Sequence, residues 1–279
     1  MSADETAKFL EGLAKDLNSR KIALPSFPDV VIRIRSALED PTCTADRLAG
    51  VAKTDPVLVS RLLISANSAF HNRAGVSIVD LNLAISRLGF EAVRNTAIAL
   101  AVEQIYNASK RTELRDRMKK LWSRSISLSS MCYVLATGKE HIKPDNAFLC
   151  GLLHEIGKLY ILNKARDYPR LLGDDASLDK VLADWYPSIG KAIIESWGFP
   201  QDIADSMVVA ETVHAARRST TLADIVYAAI ALLDAPDETL AKVPLHPAIA
   251  RVITGIDAYA GIKETFDQHV LTVRQSVGS

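Results

Sequence analysis

Apolar positions along this chain recur at the spacing of amphipathic α-helices. In TDPVLVSRLLISANSAF, the side chains of Val57, Leu58 and Leu62 share one wide apolar face of a predicted helix. Asp55 can accept hydrogen bonds from the first turn, and Pro56 fits there because its missing N–H leaves no bond unmade. The pattern predicts a helix that begins directly after Asp55 and ends in the small polar residues that follow, at positions 67 and 68.

Other segments repeat this helical spacing. In SIVDLNLAISRLG, Ser77 and Asp80 form a capping-box pattern, and Gly89 can end the helix. FPQDIADSMVVAETVHAARR predicts a helix that follows Gly198 with Pro200 in its first turn. LADIVYAAIALLDA is nearly all apolar, which predicts a helix buried on all sides. Hairpin signals and sustained apolar–polar alternation are lacking, so we expect an all-α fold.

The most charged stretch of the chain, residues 107–120, separates two apolar-rich parts. Glu113 and Asp116 interrupt its basic residues, which favours a solvated helix face or linker over a nucleic-acid-binding face. We therefore predict a two-lobed helical bundle. Its N-terminal helical lobe is residues 1–110, and its second helical lobe, with a C-terminal helical extension, is residues 111–279.

Composition narrows the class of protein. Hydrophobic residues make up 48% of the 279, and 33 basic residues balance 33 acidic ones, so no overall charge drives the chain toward nucleic acid or anionic membrane. The N-terminus lacks a signal-peptide pattern, and no apolar stretch is long enough to span a bilayer. Cys43, Cys132 and Cys150 show no metal or redox spacing and are expected to fill core positions. We expect a cytoplasmic protein with no nucleic-acid or membrane partner.

One stretch, LLHEIGKL at residues 152–159, suggests half of a metal site. The familiar phosphate-loop, dinucleotide, nucleophile-elbow and zincin motifs are absent. With its surroundings, NAFLCGLLHEIGKLYIL, it resembles the GLLHDIGK helix of the HD superfamily of metal-dependent phosphohydrolases. The resemblance implies histidines and carboxylates that hold one or two cations, which polarise a phosphoryl oxygen and generate hydroxide.

Matched to that family, most metal-ligand positions of this chain carry other residues. Arg124 in WSRS and Tyr186 in YPSIG stand where the family has histidines, and Glu155 replaces the aspartate. The family's His-His pair falls near Ala210-Glu211, and its late aspartate falls near Ala229 or Ile230, which cannot bind metal. Only His154 keeps its type.

Arg124 is the most damaging change for metal binding. A guanidinium has no acceptor lone pair, stays protonated and repels a dication. We expect Arg124 to pair with Glu155, whose longer side chain suits a guanidinium fork. The resemblance then implies a residual pocket with no catalytic residue, no expected metal and no cofactor. Its members are Arg124, His154, Glu155, Lys158, Tyr186 and Glu211.

Two alternatives remain for this pocket. Glu211 and His214, spaced i, i+3 on a predicted helix, could join His154 and Glu155 in a replacement site for a divalent metal. Alternatively, the pocket binds a nucleotide without turnover, with Arg124 and Lys158 facing phosphates, although Lys158 could simply extend to solvent. The remaining histidines are predicted on the surface or in loops: His71, His141, His246 and His269.

The front half resembles a narrower family. LPSFP, DPVLVSRLLISANSAF and AISRLGFEAVR, followed by GLLHEIGKL, resemble the HDOD domain, an HD-related output domain of bacterial signalling proteins, over about residues 20–215. The resemblance implies a non-catalytic regulatory protein that acts through a protein partner. The alternative is a divergent phosphohydrolase of nucleotide or cyclic-dinucleotide esters. Arg61, Arg87 and Arg94 could line a phosphate groove, but exposed helix arginines are the simpler expectation.

Overall fold

The computed structural model describes residues 2–19, 22, 27–107, 112–213, 219–234, 246–253 and 256–277. Within these ranges the regular secondary structure is helical and no strand occurs, which confirms the all-α prediction. No helix in this described part is both long and apolar enough to cross a bilayer. In chain order the helices are α1 Ser2–Ser19, α2 Asp29–Leu38, α3 Ala45–Ala52, α4 Pro56–Asn67, α5 Leu81–Leu88, α6 Phe90–Asn107, α7 Thr112–Ala136, α8 Pro144–Leu153, α9 Ile156–Ala165, α10 Pro169–Leu172, α11 Asp175–Ser196, α12 Gln201–Asp205, α13 Val209–Thr212, α14 Leu222–Asp234, α15 Pro247–Val252 and α16 Ile256–Val277.

The chain divides into two compact units. Unit 1 comprises Met1–Leu24 and Ser109–Thr254, and unit 2 comprises Pro25–Ala108 and Gly255–Ser279. The predicted boundary near residue 110 lies close to the point, between Ala108 and Ser109, where the chain passes from unit 2 to unit 1. The predicted lobes, 1–110 and 111–279, differ from the units at both ends, because α1 belongs to unit 1 and α16 to unit 2.

Apolar burial explains why α1 belongs to unit 1. Phe9 and Leu13 are fully buried, and the Phe9 ring meets Tyr168 edge-on with 5.0 Å between centroids. Asp16 accepts a hydrogen bond of 2.6 Å from the Tyr160 hydroxyl of α9. One apolar face and one polar anchor therefore fix α1 against α9, α10 and α11.

In unit 2, α16 packs on α4 and α6. His269 of α16 is buried against the ring of Phe70, with 4.8 Å between ring centroids. The prediction that His269 lies at the surface is wrong, because it faces the core with Val270 and Val273. His71 is half-buried, whereas His141 is exposed.

The helix that begins after Asp55 is confirmed. The Asp55 carboxylate accepts from Val57 N–H at 2.9 Å and Leu58 N–H at 3.1 Å, and α4 starts at Pro56. At its end, the Asn67 side-chain amide bonds both the N–H and the C=O of Ile78, each at 2.7 Å. These two hydrogen bonds hold the segment that precedes α5.

Two predicted helices differ from the structure. Ser77 does not cap α5, because Asp80 is the N-cap and accepts from Leu83 N–H at 2.8 Å; Gly89, with φ 85°, does end it. The predicted helix after Gly198 is broken into α12 and α13. The break lets Met207 turn into the core, where it is fully buried. α14, by contrast, is almost entirely buried, as its apolar sequence predicts.

Candidate functional site

Two glycines bring the helices of unit 1 together around the LLHEIGKL stretch. A Cβ on Gly151 of α8 would lie 2.6 Å from the carbonyl oxygen of Leu128 in α7. A Cβ on Gly157 of α9 would collide with the carbonyl oxygen of Tyr186 in α11. Only glycine permits these approaches. They place His154, at the end of α8, and Glu155, at the start of α9, between α7 and α11.

The carboxylate of Glu155 lies at the middle of the site. It is 2% exposed, and its Oε1 accepts from Arg124 Nε at 3.2 Å and from Lys158 Nζ at 2.6 Å. The expected ion pair of Arg124 and Glu155 is therefore present. The other oxygen, Oε2, is buried and has no hydrogen-bond partner in the described part of the chain.

Arg124 also reaches a carboxylate that the sequence did not identify. Its Nη1 and Nη2 donate to Asp234 Oδ1 and Oδ2 at 2.7 and 3.0 Å, a bidentate pair at the end of α14. Hydrogen bonding to Asp234 raises the pKa of Arg124 and keeps its charge fixed. Matching to the family had placed the late aspartate near Ala229 or Ile230. Asp234 is the next acidic residue on that helix, and this was the sequence signal that pointed to a carboxylate near Arg124.

His154 is a buried, neutral histidine. Its Nε2 lies 3.3 Å from the Tyr186 hydroxyl, and the two rings meet edge-on with 5.6 Å between centroids. Burial, and to a smaller extent the charge of Lys158, lower the pKa of His154 to about 3. The imidazole is therefore uncharged near neutral pH and held by an aromatic partner.

The alternative in which Lys158 simply extends to solvent is not what the structure has. Its side chain is 23% exposed and turns back to Glu155, and Nζ lies 4.7 Å from the centroid of the Tyr186 ring. We call Arg124, His154, Glu155, Lys158 and Tyr186 the Glu155 centre. The structure brings these five predicted pocket residues together.

The structure describes only part of the replacement metal site, namely His154 and Glu155. The side chain of Glu211 and the whole of His214 are not among the described residues. Among those that are, no group of three or more His, Cys, Asp or Glu side chains could hold a metal ion.

The described residues of the Glu155 centre do not fit the dication that the fold family implies. Glu155 Oε1 is already bound to two cations, and His154 Nε2 is bound to Tyr186. Arg124 and Lys158 would each repel a metal bound at Glu155. Cationic side chains thus stand where a metal would need neutral or anionic donors.

The arginines of unit 2 form local pairs. Arg61 lies 3.6 Å from Glu103 and is largely buried, so the prediction that it is exposed is wrong. Arg94 pairs with Glu91 at 2.9 Å, and the exposed Arg87 donates to Asn72 at 2.7 Å. Among the cysteines, Cys132 and Cys150 fill core positions as predicted, whereas Cys43 is only half-buried.

Comparison with protein families identifies the class of this chain. Residues 24–213 match the family model of the HDOD domain, and the chain belongs to that family. The match agrees with the range of about 20–215 inferred from the motifs. The comparison with curated proteins finds no match.

Solved structures share the fold. A "putative metal-dependent phosphohydrolase" from Shewanella amazonensis SB2B is 23% identical with a TM-score of 0.72, covering 94% of this chain and 99% of its own. An HDOD domain protein with unknown function from Geobacter sulfurreducens is 20% identical with a TM-score of 0.69, covering 98% and 97%. A "putative signal transduction protein" from Marinobacter aquaeolei VT8 is 18% identical with a TM-score of 0.64. The match covers 99% of this chain and 66% of that protein. At such identities these likenesses describe the fold alone.

Proposed function

We propose that this HDOD protein is a non-catalytic regulator that acts through contacts with a protein partner in a cytoplasmic signalling pathway of a bacterium. One observation carries the proposal: Glu155, the acid of the motif, is bound by Arg124 and Lys158. Two cationic side chains bind the carboxylate that a metal-dependent hydrolase would need as a ligand, which supports a site without metal.

The chemistry of phosphoester hydrolysis explains why this observation matters. Metal-dependent hydrolases lower the pKa of a bound water so that hydroxide forms near neutral pH. Guanidinium and ammonium groups cannot bind that water as a Lewis acid. His154, which could otherwise serve as a base, is buried and bound to Tyr186. These features of the described site support a role that does not depend on activating water.

The surface of unit 2 supports a role in protein contacts. Within the described part of the chain, the large apolar side chains exposed to solvent belong to this unit. They are Ile32, Val57, Ile64, Val76, Val79, Leu83 and Leu271. Val76 and Val79 are 68% and 83% exposed, on the segment that Asn67 holds through Ile78. Exposed apolar side chains on a segment tied down by hydrogen bonds favour docking to a partner.

Further support for a pathway role is indirect. The solved structure from Marinobacter aquaeolei VT8 that shares the fold bears the name of a signal transduction protein, and we extend that role to this chain as a proposal. Three free cysteines, two of them buried, fit a reducing compartment.

A hydrolysis assay tests the proposal. Purified protein is incubated with Mg²⁺, Mn²⁺ or Fe²⁺ and with bis-p-nitrophenyl phosphate, nucleotides or cyclic dinucleotides, beside a Glu155→Gln variant. We expect wild type and variant to give the same background rate with every metal. Metal-dependent turnover by the wild type that the variant lacks would instead establish the alternative, a divergent phosphohydrolase, which is the role that the name of the Shewanella relative carries.

A further inference from the structure

Residues 76–80 of unit 2 form a short segment whose backbone is held from one side by two asparagines. The Asn67 side chain donates to the C=O of Ile78 and accepts from its N–H, each at 2.7 Å. The Asn72 side chain donates to the C=O of Val76, also at 2.7 Å. Side-chain amides therefore take the place that a neighbouring strand would have on one edge of this segment.

This bonding pattern shows that the backbone is extended. One side chain can bond both the N–H and the C=O of Ile78 only where these two groups point the same way, as in a strand and not in a helix. Asp80, which ends the segment, is also extended, with φ −87° and ψ 128°. In extended backbone the N–H and C=O groups of successive residues point to opposite edges. Ser77 and Val79 therefore point theirs away from the asparagines.

That outer edge is open. Ser77 is exposed, and Val79 is 83% exposed. The backbone N–H and C=O groups of both residues make no hydrogen bond to any residue that the structure describes. A row of unpaired backbone donors and acceptors is a template for another extended chain.

The same segment combines an anchor with exposed apolar groups. The Ile78 side chain is 3% exposed and belongs to a core cluster with Ala66 and Ala84. Val76 and Val79, on either side of it, are 68% and 83% exposed. In strand addition, backbone hydrogen bonds supply affinity and alternate side chains supply selectivity, and this segment offers both.

We propose that residues 76–80 are a docking edge that binds an extended segment of the partner protein by strand addition. The partner segment has about five residues, pairs with the N–H and C=O groups of Ser77 and Val79, and places an apolar side chain beside Val79. The proposal rests on the proposed function and specifies how the partner binds.

The size of the docking edge favours a peptide segment over a second copy of this chain. Five extended residues span about 17 Å, and a width of about 10 Å gives roughly 170 Å². A stable dimer needs about 800 Å² from each partner. Pairing of two such edges would therefore be too small to hold a dimer, whereas a short peptide needs no larger surface.

Selection of peptides on the full chain tests the inference. The probe is a displayed library of random eight-residue peptides, and enriched sequences are synthesised and titrated by fluorescence polarisation. We expect one peptide to bind per chain, with apolar residues at alternate positions. Methyl groups placed singly on the peptide nitrogens should weaken binding about tenfold at every second position and leave it unchanged between them, because only alternate N–H groups face the docking edge.

Two matched pairs of variants locate the binding. Ser77→Pro removes one outward N–H and should weaken binding about tenfold, while Ser77→Ala keeps that N–H and should bind as the wild type does. Val79→Pro and Val79→Ile make the same comparison at the next outward residue. Melting curves without peptide establish that the variants are folded, and the methylation pattern decides by itself if a proline variant is not.

The outcomes are distinct from those of the hydrolysis assay. The inference is overturned if no peptide is enriched, if methylation shows no alternation, or if peptides bind both folded proline variants as they bind the wild type. A dimer in sedimentation velocity that both folded proline variants lose would identify a second copy as the occupant and overturn the choice of a partner segment. Metal-dependent turnover by a protein that binds peptides here would contradict the non-catalytic function and leave the docking edge in place.

Discussion

Units 1 and 2 each bury a glutamate beside an arginine, with different results. In unit 1, Glu155 is bound by Arg124 and, at 2.6 Å, by Lys158. In unit 2, Glu103 pairs with Arg61 at 3.6 Å, and burial raises the pKa of Glu103 despite that positive charge. The Glu155 carboxylate therefore has two close cationic partners, whereas Arg61 lies farther from the Glu103 carboxylate.

The two units can also be compared through one buried histidine in each. His154 of unit 1 lies against Tyr186, and His269 of unit 2 lies against Phe70. Burial lowers the pKa of both imidazoles to about 3. One belongs to a motif that resembles a metal site and the other to no motif, yet their environments are alike. A buried histidine next to a motif glutamate is therefore weak evidence for metal, and the charges around the glutamate are stronger evidence.

The largest effect expected at neutral pH comes from comparing a close helix contact in unit 1 with an open glycine position in unit 2. Gly157→Ala drives a methyl group into the Tyr186 carbonyl and should lower the free energy of unfolding by about 3 kcal/mol. Gly50→Ala, in α3, meets nothing within 4 Å and should raise it by about 0.5 kcal/mol. Urea unfolding measures both. Equal effects would show that α9 does not need this approach to α11.

The next prediction compares the two glutamates. Glu155→Gln keeps the shape of the side chain but removes charge-assisted bonds to Arg124 and Lys158, so stability should fall by about 2 kcal/mol. Glu103→Gln should change stability by less than about 0.5 kcal/mol, because burial already disfavours its charge. Denaturant midpoints at pH 7 give both values. A larger loss at Glu103 would reverse the comparison.

The sequence predicted the fold and much of the Glu155 centre for physical reasons. Helical periodicity and caps such as Asp55 depend on local chain geometry, and the pairing of Arg124 with Glu155 follows from charge and reach. Asp234 was not predicted because α14 is almost uniformly apolar. Its sequence therefore does not show which residue of the helix faces Arg124. His269 was missed because it follows the polar pair Asp-Gln, which resembles a surface segment until α16 is placed on α4.

A further prediction concerns pH and uses both histidines. Their folded pKa of about 3 lies below the unfolded value of about 6.5, so between these values the unfolded chain binds more protons. Stability therefore falls as pH drops from about 6.5 toward 3, and each histidine contributes about 1.4 kcal/mol per pH unit.

Unfolding curves at a series of pH values check this slope. His154→Gln and His269→Gln should each remove the contribution of one proton. The exposed His141→Gln is the control and should leave the slope as in the wild type. A variant of either buried histidine that keeps the full slope would contradict the assignment of that proton.

The central claim is that cations hold the position that a metal would take in a hydrolase of this fold. Elemental analysis tests it most directly, on protein purified without chelator, incubated with Mn²⁺, Fe²⁺ or Zn²⁺ and then desalted. The account predicts well below one equivalent of any metal per chain, with no difference between wild type and Glu155→Gln. About one equivalent in the wild type that is lost in Glu155→Gln would contradict it.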